Sequence, residues 1–374
     1  MGGVETYVRN LVSWLAVNDH ENRYTLICTD QNVNYFDSII DRVKILVFKN
    51  DKKSSHRLMR SLFRKVLRTD LIQIGIDRLG LDLLHNPFTY ARESKSKTPL
   101  IVTFHDLQHH YYPEFFKAKE IHSRNSNYLR VTLDADRIIA ISDHTKQTLL
   151  DNYNVPDDHV DVVPLGVDSE YKRIDDMDLL EREREFLGLS RPFLYYPAAT
   201  WRHKNHANLL AAVDILKNSY HFDGDLVLTG VATSARDILL KRIEELGLQD
   251  TVHVLGYLPY EKLPTIYNLA RMMVFPSLFE GFGMPVLEAM ACGCPVVCSN
   301  VTSIPEVGGT AVHYFDPSSP EEIADTIIKL WNDDEALLDL RAKGIERARL
   351  FSWERTARAT LEVYHQTIGR LKHI

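Results

Sequence analysis

Glu280 and Glu288 lie eight residues apart and are the side chains best suited to bind a polar ligand. Glu280 lies in a glycine-rich turn, and Glu288 lies in the helix that the sequence predicts after it. A fully helical connection would span about 12 Å, whereas the two carboxylates of a retaining glycosidase lie about 5 Å apart. The spacing therefore favours two carboxylates that hold hydroxyl groups at the two ends of an extended ligand. The alternative is that Glu280 caps the helix and Glu288 is solvated.

The residues around this pair predict a strand, a tight turn and a short helix. The apolar run 272–275 predicts the strand, and Gly281 and Gly283 permit a tight turn with close approach of the backbone. Pro285 suits the first helical turn, and Gly293 suits the position just past the helix end. Free N–H groups and the helix dipole favour an anion at such a helix start, so this turn is a candidate phosphate site.

Short β-branched runs alternate with helical periodicity along the chain, which predicts βαβ units and parallel sheets. The predicted strands are 24–28, 44–48, 100–104, 137–141, 160–163, 193–196, 225–228, 251–255, 272–275 and 295–298. At roughly 150 residues per domain, the 374 residues suggest two domains. The highly charged stretch 169–185 lacks strand character, so we place the boundary near 169–190 and one doubly wound domain on each side.

The composition excludes several classes of protein. With 45% hydrophobic and 25% charged residues, the chain is globular rather than disordered. Its net charge of −7 argues against nucleic-acid binding through bulk electrostatics. Cys292, Cys294 and Cys298 cluster in an apolar run, without a histidine or a fourth cysteine at ligand spacing. We therefore interpret them as buried hydrophobic residues and expect no metal site.

The N-terminal residues predict an incomplete first sheet. Gly2 and Gly3 precede a helical pattern, whereas the glycine turn of a Rossmann-like domain follows its first strand. We therefore expect either that the natural product starts upstream, or that the N-terminal sheet lacks a strand and leaves backbone groups unpaired.

The segment Lys49–Arg68 is strongly basic, and Asp51 is its only acidic residue. Apolar residues at helical spacing predict an amphipathic helix, which would bind an anionic membrane surface or acceptor, or simply pack its apolar face. No apolar run is long enough for a membrane span, and the first residues do not resemble a signal peptide. We expect a cytoplasmic protein that could lie peripherally at the inner face of the membrane.

Together these motifs resemble those of the family 4 retaining glycosyltransferases, which have the GT-B fold. The glutamate pair is similar to the Glu-x7-Glu motif of that family, and the resemblance covers nearly the whole chain. The other similar motifs are Gly2-Gly3-Val4-Glu5, His105-Asp106-Leu107, Ile141-Ser142, 163–168, His203-Lys204-Asn205 and Phe351-Ser352-Trp353.

The resemblance implies an α/β structure of two doubly wound Rossmann-like domains that face a central cleft. Residues 1–172 would form the acceptor-binding domain, and residues 188–351 would bind a nucleotide sugar. The C-terminal helix, 352–374, would pack back on the first domain.

The resemblance also implies roles for single residues around a nucleoside-diphosphate sugar. Glu280 would bind hydroxyls of the transferred sugar, Glu288 would bind the ribose, and His105 would lie near the transferred sugar. Lys204 would neutralise the diphosphate, a role that suits a flexible cation. Glu280, His105 and Lys204 are thus the catalytic candidates. The further donor contacts would be Gly3 at the phosphate, Leu255 and Gly256 at the base, and Gly281, Phe282, Gly283 and Met284 in the turn.

Three residues carry open alternatives. Many family members have an arginine where this chain has Ala199, and the nearby Arg202 could take its place at the diphosphate. His105 could instead be a satisfied core histidine, and Lys204 could be a solvated loop lysine.

The expected activity is transfer of a hexose such as mannose or glucose, with retention of configuration and without metal or other cofactor. The acceptor would be a glycan or a lipid-linked molecule in polysaccharide synthesis. The alternatives are a nucleotide-sugar epimerase of GT-B fold and a non-catalytic nucleotide-sugar-binding protein. An oxidoreductase is disfavoured because no strand–Gly-x-Gly-x-x-Gly–helix unit with a following acidic residue appears.

Overall fold

The computed structural model describes residues 3–29, 32–48, 71–90, 98–233 and 235–372. Gly2 and the basic segment Lys49–Arg68 lie outside these ranges. The chain divides into two compact units. The first unit comprises Met1–His109, Phe116–Gly166 and Trp353–Ile374, and the second comprises His110–Phe115 and Val167–Ser352.

The first unit contains parallel strands with helices between them. Its strands are β1 (Thr25–Thr29), β2 (Lys44–Phe48), β3 (Leu84–Asn86), β4 (Leu100–Phe104), β5 (Arg137–Ala140) and β6 (Val160–Val162). The helices up to residue 166 are α1 (Gly3–Asn18), α2 (Leu71–Asp77), α3 (Gln108–Tyr111), α4 (Ala118–Asp134) and α5 (Asp143–Asn152). Every residue of β4 and β5 is buried, as expected for apolar parallel strands that are covered on both faces.

The sheet of the first unit is interrupted within the described residues. β1 pairs only with β2, whereas β3, β4, β5 and β6 form a separate sheet in that order. A cavity of about 1410 Å³ borders both β1 and β3, and apolar side chains of α1, such as Leu11 and Leu15, line it.

The second unit has one parallel sheet of six strands. Its strands are β7 (Phe193–Pro197), β8 (Asp225–Thr229), β9 (Val252–Gly256), β10 (Met272–Phe275), β11 (Val296–Ser299) and β12 (His313–Phe315). Its helices are α6 (Met177–Phe186), α7 (His206–Ser219), α8 (Arg236–Glu245), α9 (Leu263–Leu269), α10 (Met284–Ala291), α11 (Ile304–Gly308), α12 (Pro320–Trp331) and α13 (Asp334–Ala348). The strand order is β12-β11-β10-β7-β8-β9, so the chain reverses direction across the sheet between β7 and β10.

The last helix, α14 (Trp353–Lys372), belongs to the first unit. Thr356 Oγ1 donates a hydrogen bond of 2.8 Å to the carbonyl of Pro164, and Val363 packs in a buried cluster with Ile101 and Ile139. None of the described helices combines the length and the apolar character that a membrane crossing requires.

The N-terminal part of the first unit ends at Gly166, a few residues before the end of the expected range 1–172. Val167 forms a parallel bridge with Ser352, and the Tyr260 hydroxyl donates a hydrogen bond of 2.9 Å to Asp168. These contacts explain why the connecting residues pack with the second unit, which therefore starts well before the expected residue 188.

Each of the ten predicted strands agrees with an observed strand to within one residue at either end. Sequence patterns missed β3 and β12, which have three residues each and are only partly buried. A strand this short carries too few side chains to show a period of two.

Candidate functional site

The second unit brings two predicted catalytic residues together where its strand order reverses. Lys204 lies in the short 3-10 turn Arg202–Lys204 after β7, and Glu280 lies in the loop after β10. β7 and β10 are parallel neighbours, so both residues lie beyond the carboxyl ends of adjacent strands. Open α/β sheets bind ligands at this kind of position.

Lys204 and Glu280 form a close ion pair. The Nζ atom of Lys204 lies 2.5 Å from Oε1 of Glu280, and the two side chains are only 16% and 13% exposed. Partial removal from water strengthens such a pair relative to one on an open surface. The exposed fractions also show that Lys204 is not a solvated loop lysine. The pair thus places a cation and a carboxylate at one point of the second unit.

The turn that carries Lys204 is fixed by side chains around it. Asn205 adopts a left-handed conformation, with φ of 60°, at the end of the turn. Its amide donates hydrogen bonds to the carbonyls of Pro276, at 3.0 Å, and Pro317, at 2.7 Å. The Tyr196 hydroxyl donates to the Lys204 carbonyl at 2.6 Å. The side chain of Asn205 therefore attaches the turn that carries Lys204 to the loop after β10.

The loop that carries Glu280 leads directly into α10. Its backbone is held by two hydroxyls: Glu280 N donates to Thr302 Oγ1 at 3.2 Å, and Ser303 Oγ donates to the Glu280 carbonyl at 3.0 Å. Gly283 caps α10 with φ of 101°, which side chains rarely adopt. The amides of Gly283 and Met284 precede the first intrahelical hydrogen bond, which Val286 N donates to the Gly283 carbonyl at 3.0 Å, since Pro285 has no N–H. This helix start suits an anion.

Glu288 is buried inside α10 rather than solvated, since it is only 8% exposed. The Tyr267 hydroxyl donates a hydrogen bond of 2.9 Å to its Oε2 atom. Burial raises the pKa of the Glu288 carboxyl to about 7; the Tyr267 hydrogen bond opposes this rise and the charge of Asp168 adds to it. The structure thus gives Glu288 a different set of partners from Glu280.

A cluster of tyrosines around Glu288 was not anticipated from the sequence. Tyr171 packs against Tyr260 and Tyr267, and Tyr195 packs against Tyr267, with ring centroids 5.4, 5.9 and 5.1 Å apart. These residues come from a loop, a turn, a helix and a strand that are far apart in sequence. No local pattern relates them, so their convergence appears only in the fold.

The side chains of two predicted donor residues, Phe282 and Arg202, contact other residues of the second unit. Phe282 is 5% exposed and packs edge to face on Phe351, with centroids 6.0 Å apart. Arg202 donates a hydrogen bond of 3.2 Å to the Glu114 carbonyl, and its Cζ atom lies 5.7 Å from the centre of the Phe115 ring. Many family members have an arginine at the position of Ala199, and a role for Arg202 in its place at the diphosphate remains a prediction.

Leu255 and Gly256 end β9 on the other side of β8 from β7. Gly256 has φ of 73°, and its carbonyl accepts a hydrogen bond of 2.8 Å from Gly230 N. Both residues lie at the same edge of the parallel sheet as Lys204, because carboxyl ends of parallel strands share an edge.

Gly281 follows Glu280 in the loop before α10, whereas the last two predicted residues, His105 and Gly3, lie in the first unit. His105 follows β4, and its Nε2 lies 2.7 Å from the Pro87 carbonyl, to which the neutral ring can donate. Burial lowers the pKa of this imidazole. Gly3 begins α1, and a Cβ atom there would have no neighbour within 4 Å among the described residues. Packing alone therefore does not explain a glycine at this position.

The three clustered cysteines, Cys292, Cys294 and Cys298, are all buried. Burial raises the pKa of each thiol. Within the part of the chain that the structure describes, no group of three or more His, Cys, Asp or Glu side chains is arranged to hold a metal ion.

Comparison with known proteins identifies the class of protein. A family model described as Glycosyl transferases group 1 matches residues 180–350, and one described as Glycosyltransferase Family 4 matches residues 1–171. The Escherichia coli O-antigen chain mannosyltransferase B is 30% identical over 338 residues, which are 87% of this chain and 88% of that protein. The Paenarthrobacter aurescens D-inositol 3-phosphate glycosyltransferase is 28% identical over 345 residues, or 84% of this chain and 83% of the relative.

The fold agrees with these matches. The crystal structure of Anabaena HepE in complex with UDP and glucose superposes with a TM-score of 0.75 at 17% identity, covering 98% of this chain and 96% of that chain. The two α/β units, each built on parallel strands, have the GT-B fold that the family resemblance implied. The chain belongs to glycosyltransferase family 4. The oxidoreductase and epimerase alternatives are therefore set aside.

Proposed function

We propose that this glycosyltransferase takes a hexose from a nucleoside-diphosphate sugar that binds at Lys204 and Glu280 in the second unit. The observation that carries the proposal is the 2.5 Å ion pair between these residues at the reversal point of the sheet. The start of α10 lies a few residues further along the same loop. The cation and the backbone amides suit a diphosphate, and the carboxylate suits a sugar hydroxyl.

Two further points support a nucleotide sugar. Anabaena HepE, which shares the fold, was crystallised with UDP and glucose. In addition, Glu288 lies in α10, within the same sequence segment as the proposed phosphate site. We assign Glu288 to the ribose, and Leu255 and Gly256 to the base.

The proposed mechanism relies on charges that are in place before the donor binds. Lys204 and the first amides of α10 stabilise the negative charge that develops on the departing diphosphate. Glu280 orients the sugar through its hydroxyls. We propose retention of anomeric configuration, with the leaving phosphate accepting the proton of the acceptor hydroxyl on the same face. Since Lys204 and the amides supply the compensating charge, the mechanism needs no bound metal.

We propose a glycan or lipid-linked acceptor in polysaccharide synthesis. The similarity to an O-antigen chain mannosyltransferase supports this acceptor and a mannosyl donor, and the UDP and glucose bound to Anabaena HepE leave glucose as the second candidate. His105 and Gly3 would contribute from the first unit. Contact with an anionic membrane surface through Lys49–Arg68, and a location at the inner face of the membrane, are proposals from the sequence.

The first test is a thermal-shift panel with UDP-, GDP- and ADP-sugars. We expect one nucleotide to raise the unfolding temperature, because a ligand at 100 times its Kd stabilises the folded state by about 2.7 kcal/mol. Lys204→Met should lose that shift. Lys241→Met is the matched control, since Lys241 is an exposed lysine of α8 in the same unit, with a side chain 77% exposed. The absence of a shift with all three nucleotides would refute the proposed donor class.

Activity assays then separate transfer from binding alone. The stabilising donor is incubated with candidate glycan acceptors, and the anomeric configuration of the product is read by nuclear magnetic resonance. We expect an axial or equatorial linkage identical to that of the donor. An inverted product would refute retention, and donor binding without transfer to any acceptor would favour a non-catalytic binding protein.

A further inference from the structure

The segment His110–Phe115, which we call the aromatic segment, packs against the loops of Lys204 and Glu280. It comprises the end of α3 and the 3-10 turn Pro113–Phe115, and its contacts place it in the second unit. Three of its six residues are aromatic. Its position beside both loops is not explained by the proposed donor contacts.

One side of the aromatic segment binds Arg202, two residues before Lys204. Arg202 Nη1 donates a hydrogen bond of 3.2 Å to the Glu114 carbonyl. The guanidinium also lies over Phe115, with Cζ 5.7 Å from the ring centre. Phe115 in turn stacks nearly parallel on Tyr112, with an angle of 8° and centroids 5.0 Å apart. The planar cation is thus engaged by the segment through a hydrogen bond and a ring.

The other side of the aromatic segment contacts the residues just before Glu280. The Tyr112 hydroxyl donates a hydrogen bond of 3.3 Å to the Leu278 carbonyl. Tyr111 and Tyr112 both pack on Phe279, with centroids 5.5 and 6.2 Å away. Phe279 is only 3% exposed and directly precedes Glu280 in the chain. Tyr112 therefore links the two loops, because it stacks on Phe115 and binds the 278–279 backbone and ring.

We propose that the aromatic segment is a brace that holds the Lys204 turn and the Glu280 loop in register, with Arg202 and Tyr112 as positioning residues. Arg202 then acts through Phe115 and Glu114, rather than as a ligand of the donor diphosphate. The inference rests on the proposed function, since it takes Lys204 and Glu280 as the groups that bind the donor. A displacement of about 1 Å at such groups can cost about 100-fold in rate, so bracing contacts that never touch substrate affect turnover.

The brace and the direct-ligand interpretation of Arg202 make different predictions. If Arg202 contacts the diphosphate, its loss weakens binding of nucleoside diphosphate, and changes at Phe115 have no such effect. If Arg202 acts through Phe115, removing either partner breaks the same contact. The two substitutions then have similar effects, and combining them adds little, which a double-mutant cycle measures.

The experiment compares Arg202→Gln, Phe115→Leu and the double variant in the full chain. We measure kcat with the donor that stabilises the wild type, and Kd for UDP, GDP and ADP. We expect each single variant to lower kcat about tenfold, and both to change Kd by the same factor. The kcat of the double variant should lie within twofold of that of the less active single variant. Tyr112→Phe removes only the hydroxyl that donates a hydrogen bond to the Leu278 carbonyl, and it should also lower kcat.

Three comparisons make the test decisive. Phe115→Tyr keeps the aromatic ring and should have wild-type kcat. If Phe115→Leu lowered kcat only through a general packing defect, the presence of a ring would not by itself restore it. Arg236→Gln, on the exposed face of α8, is the control for loss of a surface arginine. A thermal unfolding curve for each variant establishes that the unit is folded.

Two outcomes overturn the brace. One is a Phe115→Leu variant with wild-type kcat beside an Arg202→Gln variant that binds nucleoside diphosphate more weakly. The other is a double variant whose loss is the product of the single losses. If the wild type itself neither binds nor turns over any of the donors, the proposed function fails and the brace fails with it. Normal wild-type transfer with independent single losses refutes the brace alone.

Discussion

Replacing Lys204 by methionine should lower the turnover number about 100- to 1000-fold while the second unit stays folded. Methionine has nearly the same length but no charge, so it fills the space without stabilising the departing diphosphate. Loss of one preorganised group that stabilises developing charge costs about 100- to 1000-fold in kcat. The measurement is kcat with saturating donor and acceptor, together with a thermal unfolding curve.

The ion pair itself complicates this test, because a single substitution leaves Glu280 partly buried without its counter-charge. The double variant Lys204→Met/Glu280→Gln removes both charges and keeps the size of both side chains. We expect it to be more stable than Lys204→Met alone but equally inactive. Lys241→Met should keep normal turnover. If the double variant recovered both stability and turnover, the pair would be structural and its assignment to the donor site wrong.

Replacing Glu288 by glutamine should make the second unit more stable than the wild type at pH 8. The difference in free energy of unfolding between variant and wild type should change by about 3 kcal/mol, in favour of the variant, between pH 4.5 and pH 8. The pKa of this carboxyl is raised from 4.5 to about 7 in the folded state, mainly by burial. Between these two pH values the folded chain binds more protons than the unfolded chain. The wild type therefore loses stability as the pH rises through this window, and the glutamine variant does not.

The measurement is the urea midpoint of both proteins at pH 4.5, 5, 6, 7 and 8, with the difference between them plotted against pH. The chain has two units, so the transition of the second unit must be followed separately. Glu335→Gln, at an exposed position in the first turn of α13, is the control for loss of a surface carboxyl. A difference between Glu288→Gln and the wild type that does not change with pH would contradict the raised pKa.

The sequence was sufficient for the family, the fold class and most of the strands. Alternation of apolar runs with helical periodicity is a local property, so the ten strands could be predicted without knowing their neighbours. The loop from Glu280 to Gly283 could be predicted for the same reason, since its glycines and the following proline belong to one continuous segment. The order of strands is not local, and no pattern indicates that β7 lies beside β10.

Because strand order is not visible in the sequence, residue patterns alone did not predict which distant side chains meet in the site. Lys204 and Glu280 are 76 positions apart and meet only because their strands are adjacent. The tyrosines around Glu288 and the contact of Phe115 with Arg202 likewise join distant parts of the chain. Family resemblance supplied Lys204 as a donor residue, but it supplied neither the aromatic segment nor the buried state of Glu288.

The interrupted sheet of the first unit has a consequence for handling this chain in solution. Among the described strands, β1 pairs only with β2 and β3 pairs only with β4, so each has one edge that no described strand covers, and such an edge is a template for strands of other molecules. Self-association of concentrated samples should therefore begin at β1 and β3, and amide protons along those strands should exchange with solvent faster than those of β7 and β10.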